Sequence, residues 1–190
     1  HSFMEKIKAV IYAKDVLEFV TVGVQFCAFL EQDSPTKTND FMATLLKLLP
    51  LLYLKAEMLP RVDDMQDCFP EEFVTEQDYD AVRARVAALL GDKDAYLDLD
   101  IANLYYVQEP QVKSISEDLA DVYQAVRNFV TTYKLEIEQS MYDALGQVKE
   151  QFDLYWGQTL LNALRALHGV RSAERNDPDE EHDAEDDFLD

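Results

Sequence analysis

The chain has 190 residues, enough for one domain, and its 48% hydrophobic content can supply a core. Five glycines and six prolines are few for an all-β protein full of tight turns, so helix is favoured. A net charge of −21, from 38 acids against 17 bases, repels phosphate backbones and anionic lipid, which argues against direct nucleic-acid or membrane binding.

The charge is not confined to one end. Ala173 to Asp190 holds ten acids and one base, or −9, so the preceding body still carries −12. Cys27 and Cys68 stand far apart, in no metal or redox spacing. Cys27 lies in an apolar run and reads as a small buried hydrophobe, and a reducing cytoplasm is the expected setting. Val16 to Leu30, the most apolar stretch, contains Glu18 and Gln25 and is too short to span a bilayer. His1-Ser2-Phe3 ahead of Met4 is read as a remnant foreign to the natural chain.

In chain order, Ile7, Val10, Ile11, Leu17, Val20, Val24 and Cys27 predict one long helix from Met4 to about Gln32, central to a bundle and stopped by Asp33-Ser34-Pro35. A second helix follows a Thr38 or Asn39 cap, with Phe41, Leu45, Leu48, Leu49 and Leu52 on one face. Pro50 removes the bond to the Leu46 carbonyl and should kink or split it. Met58 to Val74 holds Pro60, Pro70, Asp63, Asp64 and Asp67 and reads as an irregular surface segment.

Thr75 and Asp78 form a capping box, with Val74 and Tyr79 at hydrophobic-staple spacing, and Gly91 ends the third helix. Tyr96 to Tyr106 alternates like a strand but also fits a helix. Without a visible partner strand, helix is preferred, closed by Glu109-Pro110. Ser114 and Glu117 open a fifth helix along Ile115, Leu119, Val122, Val126, Phe129 and Tyr133. Ser140 and Asp143 read as a third box, opening a last helix to His168-Gly169 with Leu145, Val148, Phe152, Trp156, Ala163 and Leu167 as its stripe.

The whole is an all-α, single-domain helical bundle of about six helices over residues 4–171, with an acidic tail over 172–190 that has little to bury.

Three blocks carry a family resemblance: Leu48-Leu-Pro-Leu-Leu-Tyr-Leu-Lys-Ala56, Ser114-Ile-Ser-Glu-Asp-Leu-Ala-Asp-Val-Tyr-Gln124 and Tyr155-Trp-Gly-Gln-Thr-Leu-Leu-Asn-Ala-Leu-Arg-Ala-Leu-His168. In this order they resemble a bacterial family catalogued as a domain of unknown function, number 5063, over about Met4 to Val170. The resemblance implies a compact cytoplasmic helical protein and brings no catalytic residues.

Candidate chemistry is sparse. His168 and His182 are the histidines left after His1, no Glu-x-x-His pair occurs, and no zinc cluster, phosphate loop or dinucleotide glycine pattern appears, so no cofactor or transition metal is expected. Asp15 with Glu18, and Asp118 with Asp121, place two acids at i, i+3 on long helices. Facing each other, they could hold Mg²⁺ for a nucleotide pyrophosphohydrolase.

On a wheel of 100° per residue, Asp118 lies about 50° from the centre of the apolar stripe and Asp121 about 110°, so only Asp118 points inward and solvated helix faces are the plainer reading. Gln158, Asn162 and Arg165 form a polar stripe, either a solvent edge or a seam for a partner, with Arg165 a mate for Asp118 or Asp121. Trp156 reads as a core anchor, and Tyr105-Tyr106 as an exposed aromatic contact. The leading expectation is therefore a non-catalytic protein-interaction module with an unidentified, basic partner. The magnesium-dependent hydrolase and an acidic imitation of nucleic acid stand behind it.

Overall fold

The computed structural model describes residues 2–67, 69–98 and 109–175. Helices α1 (Phe3–Ile11), α2 (Lys14–Glu31), α3 (Thr38–Glu57), α4 (Glu76–Leu90), α5 (Ile115–Lys134), α6 (Glu138–Gln151) and α7 (Gly157–Arg175) carry the fold, and a π-helical turn, Phe152–Trp156, joins the last two. Helix α5 packs against α2, α4, α6 and α7, while α3 packs on α2 and α7 and α1 on α6. Its stripe residues Ile115, Leu119, Val122 and Val126 are fully buried, as their spacing predicts.

The predicted first helix is two. The chain breaks at Tyr12 and Ala13, where Ala13 is extended and becomes the α2 N-cap. The break turns α1 onto α6, burying Ile7 and Ile11 against Met141 and Tyr142. The Tyr133 hydroxyl donates to the Ile11 carbonyl at 2.9 Å, satisfying a group that the break strands.

Pro50 does not split α3, which runs unbroken from Thr38 to Glu57. Proline there forfeits one backbone bond, and the burial of Leu45, Leu49 and Leu52 outweighs it. Thr38 caps nothing in its own helix; its hydroxyl donates to the Leu89 carbonyl at 2.7 Å and ties α3 to the end of α4. The Thr75–Asp78 capping box forms as predicted, and Gly91 ends α4 with φ of 55°.

The preference for helix at Tyr96 is overturned. Ala95–Asp98 (β1) pairs antiparallel with Gln111–Ser114 (β2), Ala95 opposite Ser114. The missing partner strand lies just before α5, in a stretch with no apolar alternation to betray it. The remainder of that prediction, through Tyr105 and Tyr106, lies outside the described residues. Ser114 caps α5 by accepting from the Glu117 amide, and Asp94 accepts from both the Ser116 amide (2.7 Å) and the Ser116 hydroxyl (2.6 Å).

The Ser140–Asp143 box does not form. Helix α6 starts at Glu138, and Asp143 is buried in its second turn. The last helix also outlasts its predicted end, continuing to Arg175, where Glu174 pairs with Lys93. Cys27 is buried as expected, and burial pushes its thiol up to about 12. Cys68 and His182 lie outside the described residues. Among those residues, no helix is long and apolar enough to cross a membrane.

Candidate functional site

Three of the four carboxylates proposed for a metal go to separate neighbours. Glu18 pairs with Lys55 of α3 at 2.8 Å and, more loosely, with Lys14 at 3.8 Å; the Lys55 hydrogen bond pulls its carboxyl below the ordinary range. Asp15 stays half-exposed on the first turn of α2. Asp121 accepts from the Tyr79 hydroxyl of α4 at 2.6 Å. Asp118 is buried, as its place near the stripe predicts, with 8% of its surface exposed. Among the described residues no three His, Cys, Asp or Glu side chains gather as metal ligands.

Asp118 does not meet Arg165. Its partner is Tyr96, whose hydroxyl donates to the carboxylate. Burial raises the Asp118 carboxyl from 3.8 to about 6, with Asp121 adding to the rise and the Tyr96 bond opposing it. Arg165 is instead exposed beside a shallow groove between α3 and α7, with Leu46, Pro50, His168 and Arg171. The predicted polar seam closes on itself: the Gln158 amide donates to Asn162 at 2.9 Å, and Gln158 and Arg165 face solvent.

The irregular segment between α3 and α4 is fastened down. Asp143 accepts from the backbone amides of Gln66 (3.0 Å) and Asp67 (3.2 Å), and Tyr142 donates to the Asp63 carbonyl at 2.5 Å. Further on, the Asn128 carbonyl oxygen takes the amides of Phe73 and Val74 at 2.8 and 2.9 Å. A Cβ at Gly146 would run into the Met65 and Val62 side chains, so glycine lets the segment lie this close to α6 without displacing them. At the segment's start, the buried Lys149 ammonium donates to the Ala56 and Glu57 carbonyls, closing the C-terminus of α3.

This fastening creates a cleft of about 560 Å³ between residues 69–72, α5, α6 and the π turn. Its floor includes Trp156, Phe129 and Val148, all nearly fully buried. Trp156 is a core anchor as predicted: its indole donates to the Val148 carbonyl at 3.0 Å, and its ring meets Phe152 at 4.7 Å. The same ring faces the cleft, which the sequence did not reveal. Phe69, 87% exposed, and Tyr155, 63% exposed, stand on its lip.

Polar groups complete the walls. Thr132 and Thr159 spend their hydroxyls on their own helices. The side-chain amides of Gln124, Gln147 and Gln151 have no hydrogen-bond partner among the described residues. Glu71, Glu72 and Asp121 contribute carboxylates, and among the described residues no lysine, arginine or histidine lines the space. The π turn shapes this wall. The Gly157 amide bonds the Phe152 carbonyl five residues back, and the extra residue pushes Leu154 and Tyr155 outward.

The model of a family described only as a domain of unknown function (DUF5063) matches residues 10–173. A crystal structure of protein BF1032 from Bacteroides fragilis is 45% identical, with a TM-score of 0.74; the match covers 85% of this chain and 94% of that one. Comparison with curated proteins finds no match.

Proposed function

The chain belongs to the DUF5063 family of unknown function, a membership that brings no activity with it, and we propose that it is a non-catalytic module holding an extended segment of a partner protein in the cleft beside the π turn. The observation that carries this reading is the set of three glutamine amides, from α5 and α6, without a partner among the described residues and lining a cleft with an aromatic floor. An amide offers one acceptor and two donors, the complement of a peptide bond, and aromatic rings supply contact area at small entropic cost. A reducing cytoplasm is the setting we assign to this work, since Cys27 is a buried free thiol.

A catalytic reading finds less support. Among the described residues, the cleft lining offers no cysteine, histidine or lysine as nucleophile or base. The magnesium-dependent hydrolase needed Asp15, Glu18, Asp118 and Asp121 around one ion, whereas Glu18, Asp118 and Asp121 bond to Lys55, Tyr96 and Tyr79 in turn. Imitation of nucleic acid draws on the net charge alone and gives the cleft no role.

The test is a pulldown from a reducing lysate with wild-type protein and with Thr159→Trp, which fills the cleft from α7. A stoichiometric partner retained by the wild type and lost by the variant supports the reading. A partner retained equally by both overturns it.

A further inference from the structure

We infer that the segment seated in this cleft is basic, and that an arginine side chain lies against Tyr155 and Phe69; the inference rests on the reading of the cleft as a partner site. Three features point to a cation. Among the described residues the walls carry Glu71, Glu72 and Asp121 and no basic side chain, so an anionic or carboxylate-bearing segment would meet uncompensated repulsion. The exposed rings of Phe69 and Tyr155 on the cleft's lip attract a cation through their quadrupoles. The chain's net charge of −21 draws basic segments towards the whole surface and speeds their encounter.

Arginine fits better than lysine. Its planar guanidinium stacks on aromatic rings, and its five donors suit a wall of carboxylate and amide oxygens. The wall is also pre-organised. Asn128 pins the backbone of Phe73 and Val74, which directly follow Glu71 and Glu72. Groups already held in place lose less entropy when the ligand arrives.

Trp156 is the chain's one tryptophan, so its emission reports on the cleft alone. The probe is a blocked pentapeptide, acetyl-Gly-Arg-Ser-Arg-Gly-amide, titrated into the full chain with emission and calorimetry as readouts. We expect saturable one-to-one binding, weakened about tenfold when citrulline replaces both arginines and the charge is lost with the shape kept. Glu72→Gln combined with Asp121→Asn should weaken it by a similar factor, while Asp80→Asn, on the exposed side of α4, should change it less than about twofold.

Equal binding of the citrulline peptide would overturn the basic assignment and leave the cleft as a site for a neutral segment. Arginine-peptide binding weakened as much by Asp80→Asn as by the cleft pair would reduce it to general attraction and overturn the assignment. Absence of binding by both peptides, or binding indifferent to Thr159→Trp, would overturn the assignment and the cleft reading together.

Discussion

A Cβ placed on Gly157 would lie 2.5 Å from the carbonyl oxygen of Phe152, closer than backbone and side chain can approach. The contact exists because the Gly157 amide bonds that carbonyl across the π turn. Gly157→Ala therefore opposes the turn itself, although alanine is ordinarily the better helix former by about 1 kcal/mol. We expect a net loss of roughly 1–3 kcal/mol, as for other overpacked sites, read from urea unfolding. A variant as stable as the wild type would show that the π turn is not needed.

Asp143→Asn should loosen the strap between α3 and α4. The carboxylate accepts from the Gln66 and Asp67 amides and from Gln139, all within 3.2 Å. Asparagine keeps one acceptor oxygen and turns an NH₂ towards a donor, at an expected cost of about 1–3 kcal/mol. Hydrogen exchange should accelerate at the Gln66 and Asp67 amides far more than in α5.

The Asp118 carboxyl sets a pH dependence. In the folded protein it holds its proton to about pH 6, against an ordinary value of 3.8, chiefly because it is buried. Between those values the folded state binds the extra proton, so this group's contribution to stability falls as pH rises and stays low above pH 6. Asp118→Asn keeps an acceptor for Tyr96 and removes the buried charge. It should flatten that slope and stabilise the protein at neutral pH by roughly 1–2 kcal/mol, after allowance for partial solvation. Destabilisation at neutral pH would mean that Lys113, whose charge already opposes the rise, compensates the carboxylate.

Truncation separates the end of α7 from the acidic residues beyond it. Removing 176–190 takes nine acids and two large apolar groups, Phe188 and Leu189, and should move the melting temperature by no more than a few degrees. Cutting after Arg171 also removes Glu174 and its pair with Lys93, and should cost more. Equal melting temperatures for the two truncations would show that the pair contributes nothing.

What the sequence discloses follows from how local each cause is. The Thr75–Asp78 box and the α5 stripe rest on neighbours along one helix, and both are legible. The break at Tyr12–Ala13 has no glycine or proline to announce it, because its causes are Tyr133 and α6, more than a hundred residues away. Asp143 has the spacing of a cap and serves a distant loop instead. For the cleft, one signal was present: Val148, Phe152, Trp156 and Leu160 follow three consecutive steps of four, which drift off an α-helical face unless one residue is absorbed. The unpartnered amides of Gln124, Gln147 and Gln151 carry no sequence signature, since glutamine on a helix usually faces solvent.

The most direct test of the account follows side-chain signals by ¹H–¹⁵N NMR while the arginine pentapeptide is titrated into the full chain. If the cleft is the site, the Trp156 indole N–H and the side-chain amides of Gln147 and Gln151 shift together and saturate at one equivalent. Signals there that stay still, while the largest changes fall at the α3–α7 groove around Arg165 and His168, would contradict it.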